Sequence, residues 1–415
     1  MSVKQLRLIL LASLPLPLMG QVDLWDLPPV RYSDTVSEDP LARMAVEWSE
    51  GGGNLAGKSP LEKMRAVLAA LNVSEASQVL VFSKTSKQNS LIHPQSPRAL
   101  FFSMDTYCGY VPGGALEVVV HDRRVGPVFY LVNLGNPDQA PVVERDTSEC
   151  LSCHATARTE HVPGVMLRSV YPDKEGHAIL SLGSGVITHE TPVPERWGGY
   201  YVTGSISLPH LGNRTYTHAR DEEPAIHRLK HLKDKINVSK YPRATSDVVS
   251  LMVLEHQCHA HNLLTAASMN YRRARYLAES LNPGEDPDAG SAGRVAEHAA
   301  AEIVSWFLFK GEADLGEDGV EGEEEFQDQL QARVPKALDG KSLADFELNT
   351  RLFKHRCSYM IYSNAYRDLP EAVKTRVVKG LRSVLESSTA ADDYPEMKLS
   401  ERRRTAGILR ETGIF

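Results

Sequence analysis

Long apolar runs are missing from the body of this 415-residue chain. Past the first twenty residues or so, no stretch has the roughly eighteen uninterrupted apolar residues that a membrane-spanning helix needs, so the mature protein is expected to be soluble. A large excess of one charge sign is missing too: 46 Lys and Arg stand against 53 Asp and Glu, a net charge of −7, which leaves no nucleic-acid footprint. No phosphate loop, dinucleotide fingerprint, defensible Ser-His-Asp order or fixed-period repeat is present. Cysteine is scarce. Of five, Cys108, Cys258 and Cys357 stand alone in sequence, so no second pair completes a zinc site.

The remaining two cysteines lie in Glu149-Cys150-Leu151-Ser152-Cys153-His154-Ala155. In a C-x-x-C-H spacing two thiols can each add to a haem vinyl group while the next imidazole binds the iron. One covalent haem c on Cys150 and Cys153, with His154 as the proximal iron ligand, is the expectation. The alternative is a C-x-x-C redox pair, which should head a helix in a strand-helix-strand context, whereas residues 141–148 read as a loop. Three cysteines are left over, enough for one disulfide and one free thiol, and their pairing stays open.

Lys4 and Arg7 precede an apolar run over residues 8–19, the charged and apolar regions of an export signal. Pro15 and Pro17 break the run as a helix, and Gly20 offers a small residue for cleavage. Export to the periplasm is expected, in keeping with haem attachment outside the cytoplasm. Residues 21–57, rich in Pro, Asp and Gly, read as an extended arm. Leu61, Met64, Val67, Leu68 and Leu71 then mark a short amphipathic helix. Short β-branched and aromatic runs follow at 79–82, 99–104, 106–111, 116–121 and 128–134, separated by Pro97, Pro112-Gly113-Gly114 and Gly126-Pro127. Residues 214–245 are basic and read as a solvated linker. From Ser246 the period turns helical: Ser246 or Asp247 can cap a helix with the stripe Val249, Met252, His256, His259, Leu263. Further helices are expected at 292–310, 343–363 and 371–385, with an acidic, glycine-rich mobile loop at 311–325.

The expected fold class is therefore α+β: a β-rich N-terminal half leads into a covalent haem segment and is followed by a mainly helical C-terminal half. The expected division is a signal peptide at 1–20, the arm at 21–57, a β-rich haem-attachment region at 58–213, the linker at 214–245 and the helical region at 246–415.

Several stretches beyond the haem motif carry a resemblance. They are Pro97-Arg98-Ala99-Leu100-Phe101-Phe102, Gly109-Tyr110-Val111-Pro112-Gly113-Gly114, residues 162–170, residues 196–204, His210-Leu211-Gly212-Asn213, Val253-Leu254-Glu255-His256-Gln257 and residues 357–363. In that order the chain resembles a c-type cytochrome family, the exported bacterial single-haem cytochrome-c-domain proteins, whose reaction is not established. The resemblance implies a haem module extended into a larger fold. Leu211 and Tyr200 depart from the family's Met and Trp, which removes a sulfur ligand at 211.

The sixth iron position then decides the chemistry. His256 on its helix is the first candidate, His210 in a glycine-flanked loop the second, and Met166 the third. Arg168 and Arg196 are candidate partners of the haem propionates. His256, Cys258, His259 and His261 point around a helix axis and do not converge on one metal. Electron transfer with a redox partner protein, and no nucleic acid, is the expected role. A haem enzyme, peroxidase-like or another small-molecule oxidoreductase, or a haem sensor with an open sixth position is the alternative. A haem that merely staples a protein-binding domain is the third reading.

Overall fold

A computed structural model describes residues 23–52, 55–135, 138–217, 226, 228–389 and 393–415. The leader-like residues 1–20 lie outside the described residues. Helices α1 (Pro40–Ser49) and α2 (Pro60–Ala70) come first. Each has proline in its first turn behind a capping side chain. Asp39 accepts from the Leu41 and Ala42 amides, and Ser59 forms a reciprocal box with Glu62. α1 lies inside the stretch expected to be an extended arm. Its marker is the Asp39-Pro40 start rather than a long apolar stripe.

Strands β1 (Val79–Val81), β2 (Arg98–Phe102), β3 (Thr106–Tyr110), β4 (Leu116–Asp122), β5 (Gly126–Asn133) and β6 (Val142–Asp146) follow, then a single helical turn, α3 (Leu151–His154). Next come β7 (Leu167–Val170), β8 (Ser184–Ile187), β9 (Tyr200–Tyr201) and β10 (Ser205–Ile206). The rest is mainly helical: α4 (Val248–Leu281), α5 (Ser291–Phe307), β11 (Val320–Glu321), α6 (Glu324–Arg333), α7 (Asn364–Arg367), α8 (Glu371–Leu385) and α9 (Leu399–Glu411). A β-rich N-terminal region followed by a mainly helical C-terminal region is thus present, with no covalent haem segment evident between them. No helix among the described residues is long and apolar enough to cross a membrane.

Seven strands form one antiparallel sheet in the order β6-β5-β4-β3-β2-β1-β9. Its register sorts the side chains. Leu100, Gly109, Glu117 and Leu131 lie in one cross-strand row, and Phe102, Tyr107, Val119 and Phe129 in the next, on the same face by the two-residue period of a strand. The opposite face, with Ala99, Phe101, Cys108, Tyr110, Val118 and Tyr130, packs with Leu41, Trp48, Met64 and Leu68 of α1 and α2. The first face turns toward the larger core built on α4, α5 and α8.

Three local expectations give way. Residues 141–148 are not simply a loop: β6 pairs with β5 as an edge strand whose charged side chains suit a sheet margin. Its Arg145 donates to the Tyr32 and Thr35 carbonyls at 2.7 and 2.6 Å. Residues 343–363 do not form an α-helix, and their one helical stretch is a 3-10 turn at Tyr359–Tyr362. The Glu347 carboxylate accepts from the Asn349, Thr350 and Arg351 amides, closing a turn where a helix would run, and Phe346 bridges Phe353 instead. The described part of 214–245 also joins the core, since Leu232, Ile236 and Tyr241 are buried. All five cysteines are free thiols, so the disulfide left open above does not form.

Asp247 caps α4, accepting from the Ser250 amide at 2.7 Å. Further along, Glu255 is fully buried and ties α4 to the loop before β9. Arg196 Nη1 donates to its Oε2 at 2.9 Å, and the Trp197 indole N–H donates to Oε1. Burial pushes the Glu255 carboxyl up to about 7, while Arg196 and Trp197 pull it down. Arg196→Met strands that carboxylate and should cost about 3–5 kcal/mol in urea unfolding at neutral pH. The folded chain holds the Glu255 proton more tightly than the unfolded chain does. This group therefore lowers stability as pH rises from the ordinary carboxyl range through about 7, and Glu255→Gln should remove that part of the slope.

Candidate ligand-binding cavity

Where the sheet face and α4 do not meet, a cavity of about 750 Å³ remains. Its sheet wall is Leu100, Tyr107, Gly109, Glu117, Val119, Phe129 and Leu131, and α4 contributes Leu254 and Cys258, one helical turn apart. Val165, Met166 and Leu167 close a side. The lining is mainly apolar, with a few fixed polar groups. Glu117 accepts from Arg98 Nη1 at 2.6 Å, from Ser86 Oγ at 2.5 Å and from Gln88 Nε2 at 3.1 Å. Burial raises the Glu117 carboxyl, but Arg98 and these hydrogen bonds outweigh it and hold the group below its ordinary range. Arg98 Nε is buried and has no partner. Gly109 keeps this wall open: a Cβ there would lie 3.1 Å from Glu117 Oε2.

Cys150, Cys153 and His154 form the outer wall of the same cavity. Asp146 Oδ1 accepts from the Ser148 and Cys150 amides, each at 3.0 Å, and so starts the turn that carries them. Lys87 spans the Asp146 and Glu149 carboxylates at 3.4 and 2.5 Å and clamps the preceding loop onto this turn. His154 Nδ1 lies 2.9 Å from the Gly164 carbonyl. A carbonyl only accepts, so Nδ1 carries the proton and the Nε2 lone pair is left free. Burial lowers the pKa of His154 and keeps it neutral near pH 7. The Gly164 backbone is itself held from α4. Asn262 accepts from the Val165 amide at 2.9 Å and donates to its carbonyl at 2.8 Å, and a Cβ on Gly164 would fall 2.3 Å from Asn262 Oδ1.

The other site residues expected from sequence are elsewhere. His256 does not line the cavity. It is fully buried, with Nδ1 2.8 Å from His189 Nδ1 and Nε2 2.6 Å from Ser358 Oγ, and its rings stack with Trp306 and Phe309. His210 is buried against Trp197, and its Nδ1 accepts from the Gly212 amide at 3.0 Å. Arg196 is committed to Glu255. Arg168 lies outside the cavity, where it donates to Ser184 Oγ at 3.0 Å and feels the nearby Cys153. Only Met166, of the three proposed sixth ligands, lines the cavity. The sheet wall went unread in the sequence because it depends on cross-strand register. Gly109, a glycine inside a strand, was its one local sign.

Among the described residues, no group of three or more His, Cys, Asp or Glu side chains is placed to hold a metal ion. No family model, curated protein or solved structure matches the chain. These findings overturn the c-type cytochrome resemblance and the covalent haem c on Cys150 and Cys153. With them go the electron-transfer, haem-enzyme and haem-sensor roles.

Burial and the adjacent Asp146 push the Cys150 thiol up to about 12, while Cys153 is exposed. Iodoacetamide near pH 8 should alkylate Cys153 at least about tenfold faster than Cys150. The buried Cys108, Cys258 and Cys357 should react only after unfolding. Peptide mass mapping over time reads all five rates.

Proposed function

We propose that this chain is a binding protein for a large, mainly apolar small molecule, held between the seven-stranded sheet and α4. The cavity itself carries the reading: about 750 Å³ lies within the range that encloses ligands of drug or cofactor size, and its wall is apolar with a few convergent polar groups. The sheet wall and Leu254 take the ligand's apolar surface. The Arg98–Glu117 pair and the Nε2 lone pair of His154 meet its polar atoms. Cys150 contacts it at the outer wall as a neutral, polarisable group, a role that its raised thiol pKa supports, with the Cys153 sulfur beside it. The leader-like residues 4–19 support a place outside the cytoplasm, and the mass of the secreted chain tests that.

The uncharged fluorescent probe N-phenyl-1-naphthylamine should bind one to a chain, with a blue-shifted, enhanced emission. Gly109→Leu fills the cavity from the middle of its wall, and Leu131→Trp fills it from the next strands. Each should weaken the probe at least about tenfold; Leu131→Trp should keep the melting midpoint within a few degrees of wild type, and Gly109→Leu should lower it further, because its side chain presses on the Arg98–Glu117 pair. Unchanged probe binding in two folded variants contradicts the reading.

A further inference from the structure

One wall of the cavity hides a hydrogen-bonded chain. Tyr107 lines the cavity, as does Cys258, whose thiol lies against the Tyr107 hydroxyl. That hydroxyl is 2.5 Å from His261 Nδ1. His261 is one turn beyond Cys258 on α4 and almost completely buried, and its Nε2 lies 3.6 Å from Asp105 Oδ1 with no hydrogen bond of its own. Asp105 is partly exposed and anchored by the Asn364 amide at 2.9 Å. The order from cavity to surface is phenol, imidazole, carboxylate.

Geometry fixes the protons. With Asp105 ionised, the neutral His261 keeps its proton on Nε2, toward the carboxylate, and accepts the phenol O–H at Nδ1. The Tyr107 oxygen then offers the cavity only lone pairs. A protonated His261 has a proton on both nitrogens, so Nδ1–H donates to the phenol oxygen. The phenol proton, displaced from that bond, turns toward the Gln257 and Cys258 side or into the cavity that Cys258 borders, where a ligand acceptor competes for it.

We infer that Tyr107 is the polar anchor of the cavity's ligand and that His261 sets its polarity: it accepts a hydrogen bond from a ligand hydroxyl or amine when His261 is neutral, and donates one to a ligand carbonyl when His261 is protonated. This rests on the reading of the cavity as a ligand site and adds the class of ligand, an apolar body with one hydroxyl, amine or carbonyl at the inner end.

The neighbours of His261 allow the switch. His121 on β4 stacks on its ring, with centroids 6.1 Å apart, and is tied to Asp368 at 3.2 Å. Tyr107 on β3, Cys258 on α4 and Tyr359 beyond α6 are the other titratable groups nearby, and burial keeps all three neutral. Asp105 is the carboxylate that faces the ring. Burial raises its pKa, but the nearby His261 imidazole, with His121 and the Asn364 amide, outweighs that and holds it below the ordinary range. Burial lowers the pKa of His261 and the Asp105 contact raises it, with burial the larger, so the change falls on the acid side of an ordinary histidine.

The test uses two naphthalene probes, 2-naphthol with a hydroxyl and 2-acetylnaphthalene with a carbonyl alone, titrated against the full chain between about pH 7.5 and pH 4.5. At the upper pH the naphthol should bind about tenfold tighter, and the ratio should fall and reverse as His261 takes its proton. Tyr107→Phe should bring the ratio close to one at every pH with the ketone's upper-pH affinity unchanged. His261→Gln should make the ratio independent of pH. Binding of both probes at a pH-invariant ratio in wild type overturns the inference alone, as does an unaltered reversal in either variant. Failure of both probes to bind overturns it together with the cavity reading.

Discussion

A sheet whose two faces are both apolar must have both covered, and here one cover is short. α1, α2 and the chain before them pack the outer face, with Leu41, Met64 and Leu68 fully buried against it. On the inner face α4 meets only part of the rows that contain Tyr107, Val119, Gly109 and Glu117, and the unfilled part is the cavity. Three features oppose its collapse. The Arg98–Glu117 pair sits in the wall with the Glu117 carboxylate fully hydrogen-bonded, and pressing apolar side chains over it would desolvate both charges. Gly109 offers no side chain to fill the space, and the ridge of Val165 to Leu167 is pinned at a distance by Asn262.

α4 works as a spine because successive turns are tied to different parts of the chain. Asp247 caps its start and also accepts from the Glu323 amide at 2.7 Å, fixing the approach to α6. Glu255 binds Arg196 and Trp197, His256 binds Ser358, Gln257 donates to the Ser103 carbonyl at 2.7 Å, and Asn262 holds the Gly164 segment. Polar side chains so deep in a core are costly unless paired, so each tie also excludes other rotations of the helix. The side that remains apolar, Leu254 with Cys258, faces the cavity. The same rotation places His261 behind Tyr107 and His256 away from His154.

Local chemistry was legible in the sequence, and long-range placement was not. The strand runs from 99 to 134, the Asp247 cap and the helix at 371–385 are set by neighbouring residues, and they stand where their patterns put them. Cys150, Cys153 and His154 do face one space, because a single turn from Cys150 to His154 orients all three. The haem expectation drew on that spacing and on short stretches that are modest one by one, and neither the comparisons nor a metal-binding group sustains it. His256 shows why a stripe on a helix does not identify a ligand: periodicity gives its face, but the partners that occupy it, His189 and Ser358, are far away in sequence. The wall made by Leu100, Gly109, Glu117 and Leu131 needed the register of four strands, which no local pattern encodes.

Native mass spectrometry of the chain purified from cells that make it naturally, beside Leu131→Trp prepared in the same way, tests the cavity most directly. The account predicts wild-type chains that carry one small organic molecule of a few hundred daltons, the size such a cavity encloses, and variant chains that lack it. Wild-type chains at the bare polypeptide mass in every preparation, or the same bound mass on the filled variant, would contradict it.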